Sequence, residues 1–148
     1  MSEVYSYVIM INIAIIILIM LSIVITNTLI SMKYEEAEKA AELALSRFSN
    51  ILVSGALEAP VVIDLSLDDI LLRPVEIYID GTARTIKASI RLEYFSHIVV
   101  SETTDFPESI YKVVNSEGEE YTGLLPRYFT LNFTKGTEGV TVKVTRRD

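Results

Sequence analysis

Residues 4–32 read VYSYVIMINIAIIILIMLSIVITNTLISM, with no Asp, Glu, Lys or Arg among them. A helix crosses the hydrocarbon core of a bilayer in about 20 predominantly apolar residues, and a longer charge-free run has no place inside so small a domain. The stretch therefore reads as a transmembrane span. A cleaved secretory signal would need a basic n-region, an apolar core of about 7–15 residues and a small-residue cleavage site. No Lys or Arg precedes the run, and Thr26-Asn27-Thr28-Leu29 is not such a site. An uncleaved span is expected.

Lys33-Tyr34-Glu35-Glu36 marks the exit into water, and residues 33–54 contain no Gly or Pro. The helix is expected to continue straight on, making a rod on the order of 75 Å at a rise of 1.5 Å per residue. Ala37, Ala41, Ala44, Phe48 and Ile51 recur at helical spacing, while Glu35, Glu38, Lys39, Glu42 and Arg47 stay off that stripe. The stripe is narrow and mostly alanine, so a neighbour can approach closely. That neighbour is either the chain's own C-terminal domain or another subunit. Gly55 and Pro60 then bracket a hinge, Gly as the residue just past a helix end and Pro as the stop beyond it.

From Val61 the period changes to two. Ile63, Leu65 and Leu67 alternate with Asp64, Ser66 and Asp68; Val75, Ile77 and Ile79 alternate with Glu76, Tyr78 and Asp80. Asp80-Gly81 reads as a tight hairpin turn, with Gly accepting positive φ. The return strand sets Ile86, Ala88, Ile90, Leu92 and Tyr94 against Lys87, Ser89, Arg91 and Glu93. Further strands are expected at 97–101, 110–115, 128–134 and 140–145, the last two forming a hairpin over Lys135-Gly136-Thr137-Glu138-Gly139. The fold class is α+β. A long transmembrane and amphipathic helix (1–54, span 4–32, extension 33–54) leads through a hinge (55–60) to a small antiparallel β-sandwich-like domain (61–148).

Composition narrows the function. With no cysteine there is no disulfide, thiol nucleophile or Cys-based zinc site. Gln and Trp are absent too and Ile is abundant, a bias compatible with a thermophile's avoidance of thermolabile residues. Glu3 is the one charge before Lys33, so nearly all of the net charge of −7 lies on the body. An acidic body argues against nucleic acid as a partner. The single histidine, His97, sits in a strand-like stretch and reads as a sheet residue rather than a catalytic base. The glycines are scattered over turns, not gathered in a phosphate loop. Glu117, Glu119 and Glu120 around Gly118, and the pair Asp68-Asp69, read as solvated turns, because the spacing of a calcium loop is missing. Asn132-Phe133-Thr134 is a formal glycosylation sequon. No cofactor and no enzyme activity are expected.

Asn12 lies inside the apolar run, and Ser22 and Thr26 fall on the same broad side of the helix. Ser and Thr bond back to their own helix easily, whereas an amide facing lipid is expensive, so Asn12 is expected to meet another helix.

A charge-free N-terminal helix, its amphipathic extension, a Gly/Pro hinge and a small β domain together resemble an archaeal type IV pilin-like subunit. The same plan belongs to the membrane-anchored stator components of the archaeal swimming filament. The resemblance implies a structural subunit of a cell-surface filament, assembled with like subunits through the N-terminal helix, with Glu3 as counterpart of the acid near the mature N-terminus of many pilins. The familiar bacterial spacing puts that acid at the fifth position. A prepilin carries a short basic leader, and Met1-Ser2-Glu3 shows none. The chain is then either already processed or an uncleaved, membrane-anchored β domain that binds a surface-layer or filament-motor component. Lys33, Lys39 and Arg47 taken alone would place the β domain in the cytoplasm by the positive-inside rule, whereas the resemblance places it outside.

Overall fold

The computed structural model describes residues 1–70, 75–92 and 98–148. The chain divides into two compact units, Met1–Glu36 and Ala37–Asp148.

Helix α1 runs Ser2–Glu58, four residues beyond the expected end. Gly55 does not stop it. Ala59 and Pro60 follow, joined by a cis peptide bond, and Pro has no N–H with which to extend the ladder. The first unit is α1 alone, and its residues up to Leu29 are exposed.

The second unit contains the rest of α1 and, among the described residues, eight strands: β1 Val61–Ser66, β2 Glu76–Asp80, β3 Thr85–Arg91, β4 Val99–Asp105, β5 Ile110–Val114, β6 Thr122–Leu124, β7 Tyr128–Lys135 and β8 Val140–Arg146. A short helix, α2, covers Leu67–Ile70, where strand alternation had been expected to include Leu67 and Asp68. The strands form two four-stranded sheets, ordered β1-β7-β8-β5 and β4-β3-β2-β6. The fold is α+β, as the pattern predicts. Pairing is antiparallel except that β5 lies parallel to β8. Tyr94 and His97 lie outside the described residues.

Alternation decides which side chains face inward. Ile77 and Ile79 of β2, Ile86 and Ala88 of β3, and Phe129, Leu131 and Phe133 of β7 are all buried in one apolar core shared by the two sheets. Fully burying such side chains stabilises by about 1.5–3 kcal/mol each relative to leaving them exposed.

The α1 stripe belongs to that core. Ala37, Ala41, Ala44, Leu45, Phe48, Leu52, Gly55 and Ala56 are buried, with Ala41 and Phe48 at 0% exposure, and Ile51 is half-buried beside them. Phe48 meets Phe129 edge-on, ring centroids 6.5 Å apart and planes at 60°. Arg47 donates through Nη1 to the carbonyl of Ile70 at 3.2 Å, holding the helix against the end of α2. The stripe thus packs on the chain's own β domain.

Two glycines play roles other than those expected. Gly55 is buried inside α1, and a Cβ there would lie 2.3 Å from Cζ of Phe133, so it permits close packing and is not a hinge. Gly81 opens the β2–β3 turn, yet the positive φ falls on Arg84, at 58°. A Cβ at Gly81 would stand 2.7 Å from the carbonyl oxygen of Tyr121, to which the Gly81 N–H donates at 2.8 Å. Arg84 in turn donates to the carbonyls of Ile110, at 2.9 Å, and Tyr111, and its guanidinium lies 5.8 Å above the Phe106 ring. That one side chain ties the β2–β3 turn to β5 of the other sheet.

Candidate functional site

Two features outside the core carry functional possibilities: the exposed N-terminal part of α1 and the polar surface of the β domain. They belong to different units.

The N-terminal part has the composition of a span. Its most apolar 18-residue window has a mean hydropathy of 3.2 and none of it is buried, so the helix is long and apolar enough to cross a membrane. Three of its polar residues bond back to their own backbone. Thr26 donates to the carbonyl of Ser22 and Thr28 to that of Val24, each at 2.8 Å. Asn12 does the same, Nδ2 donating to the Val8 carbonyl at 2.8 Å, which corrects the expectation that its amide has no such outlet. One amide N–H and the carbonyl oxygen of Asn12 remain for a neighbour. Glu3 sits in the first turn of α1, where a carboxylate complements the positive end of the helix dipole. Tyr5 and Tyr7 near one end of the unit and Tyr34 near the other are exposed. Aromatic residues at both ends of a charge-free run are themselves a signal in the sequence.

Of the residues offered for helix–helix assembly by pattern, Ala37, Ala41, Ala44 and Phe48, whose neighbour could be either the chain's own domain or another subunit, are buried inside the subunit, and Ile51 is partly so. Only Glu3, Asn12, Ser22 and Thr26 lie on the exposed part of α1. The stripe also runs on through Leu45, Leu52 and Ala56, which the sequence reading left out. Its expected spacings averaged 3.5 residues, whereas a straight helix repeats at 3.6, so the buried line drifts from Ile51 to Leu52.

On the β domain, a groove of about 350 Å³ runs between α1 and β4, lined by Glu42, Ser46, Asn50, Glu102 and Thr104 among others. Carboxylates, hydroxyls and one amide can hydrogen-bond a polar partner there, but they include no nucleophile paired with a base. The acidic turn around Gly118 is organised by Asn115, whose Oδ1 accepts from the N–H groups of Glu117 at 2.9 Å and Glu119 at 3.0 Å. Asp68 pairs with Arg127 at 2.6 Å, and this partner holds the guanidinium above its ordinary pKa. Among the described residues no group of three or more His, Asp or Glu side chains is placed to hold a metal. Asn132 lies mid-strand in β7, paired with Val62 and Lys143 and half-buried, on the opposite side of the strand from the buried Phe133.

An apolar helix long enough to span a bilayer, followed by a two-sheet β domain, defines the class of protein. No family model, curated protein or solved structure matches the chain.

Proposed function

We propose that the chain is a structural subunit of a cell-surface, type IV pilus-like filament, anchored and assembled through the N-terminal part of α1, with its acidic β domain outside the cell. The observation that carries this reading is the division of labour along one helix. Residues from Ala37 onward pack into their own domain, while those up to Leu29 are exposed along their whole length and need a non-aqueous surrounding. Lipid supplies it for a single copy, and the helices of neighbouring copies supply it in an assembly.

A second reading keeps the helix as a permanent anchor and makes the β domain the binding module, gripping a surface-layer or filament-motor component. The occupied alanine stripe and the back-bonded Asn12 favour it, because both reduce what is left to hold helices together.

The natural absence of cysteine makes the two separable. Single cysteines at Ile9, Leu18 or Ile25 of the full chain in its membrane are expected to cross-link copies on oxidation. Asn12→Leu is expected to weaken that association by about 0.6–2 kcal/mol, the range of interhelical hydrogen bonds in membranes. No cross-linked species at any of the three positions would reject assembly through the helix and leave the anchored module.

A further inference from the structure

The exposed part of α1 carries aromatic residues only where an interface would need them. Between Tyr7 and Tyr34 there is no aromatic residue and, before Lys33, no charge. Tyr5, Tyr7 and Tyr34 are 65%, 73% and 47% exposed. All three lie in the unit Met1–Glu36. From Tyr5 to Tyr34 the helix advances about 43 Å, against about 40–45 Å for a bilayer with its headgroup regions. Beside Tyr34, Lys33 and Glu36 form an ion pair at 3.0 Å, both half-exposed. Glu3 supplies the corresponding charge beside Tyr5.

We infer that Tyr5 and Tyr7 at one face, and Tyr34 at the other, bind the carbonyl and headgroup layer of the lipid and set the depth of the helix in the bilayer. A phenol ring is apolar in body and polar at its hydroxyl, so it is most stable at that boundary. A helix of only aliphatic residues can slide along the membrane normal at little expense. Two aromatic girdles a bilayer's thickness apart oppose sliding in both directions. The apolar stretch between them exceeds a hydrocarbon core of about 30 Å, so both girdles reach the headgroup regions. The inference rests on the reading that the helix spans a membrane, and deepens it by naming the lipid layer and the residues that meet it.

The full chain has no cysteine of its own, so spin labels can be placed singly at Ser6→Cys, Ile17→Cys and Met32→Cys after reconstitution in phosphatidylcholine vesicles. Depth is read from relaxation by oxygen, which concentrates in the hydrocarbon, against a water-soluble nickel chelate. The expected result puts the Ile17 label in the hydrocarbon, within one helical turn of the bilayer centre, and the other two at opposite interfaces. In a background carrying Tyr5→Ala, Tyr7→Ala and Tyr34→Ala the labels should shift or spread by about 5 Å, one helical turn. Unchanged depths in that background would overturn the anchoring role while leaving the span intact. An Ile17 label in water would overturn the span and the inference together.

Discussion

Gly55 shows how a single missing methyl decides packing. Alanine there would improve intrinsic helix propensity by about 1 kcal/mol, yet the added Cβ would meet three ring atoms of Phe133 between 2.3 and 2.6 Å. Phe133 is fully buried in β7. Overpacking of this kind typically costs about 1–3 kcal/mol, so Gly55→Ala is expected to lower the melting temperature in detergent, and Phe133→Leu in the same chain to restore part of it. Tyr121 makes a pH-dependent contribution. Its hydroxyl donates to the Leu124 carbonyl at 2.7 Å, and burial raises its pKa above the ordinary 10.0. The unfolded tyrosine then ionises first, so this stabilisation is complete below about pH 10 and is lost as pH rises through the folded-state pKa. Tyr111, raised chiefly by its hydrogen bond to Glu138, acts in the same sense. Tyr121→Phe should lower stability slightly at neutral pH, through the lost hydrogen bond, and flatten its fall above pH 10. An alkaline slope equal to that of the parent chain would count against Tyr121 as its source.

Among the elements, the C-terminal part of α1 matters most to the β domain. Alanines at 37, 41 and 44 are buried along the stripe, and the larger Phe48 and Leu52 fill the space further along. Phe48→Ala removes a fully buried ring and its edge contact with Phe129, and is expected to destabilise by about 3–5 kcal/mol. Ala41→Leu should also destabilise, by about 1–3 kcal/mol, since a site at 0% exposure has no room for three more carbons. Leu43→Ala, on the exposed side of the same turn at 48%, should stay within about 0.5 kcal/mol. Thermal melts of the three variants separate a buried stripe from a general effect of helix composition. The stripe itself was legible from spacing, but its partner was not, because alanine at helical period suits a sheet and a second helix equally well.

For the whole molecule, these contacts mean that the β domain is incomplete without part of the helix. A fragment of residues 34–148 is expected to fold cooperatively, whereas one of residues 56–148 should melt far lower or not at all, having lost Phe48, Leu52 and the alanines from its core. Phe48→Ala in the longer fragment should remove much of the difference. Equal melting temperatures for the two fragments would mean that the helix contributes nothing to the domain's stability.

The sequence by itself determined the long apolar helix, its amphipathic continuation and most of the strands, since each follows from a local period of hydrophobicity and from charge excluded over one stretch. Ile77, Ile79, Ile86 and Ala88 point inward as their alternation required. Tertiary structure alone decided the rest. The three-residue β6 is too short to show a period, and Thr122-Gly123-Leu124 becomes a strand only because β2 offers it an edge. The parallel placing of β5 on β8 depends on partners distant in the chain. Gly55 and Gly81 are required by what lies against them, Phe133 and Tyr121, rather than by their own backbone angles. Pattern records what a residue prefers locally; what it touches is settled by chain that lies tens of residues away, and that decided what the apolar face of α1 would be buried against.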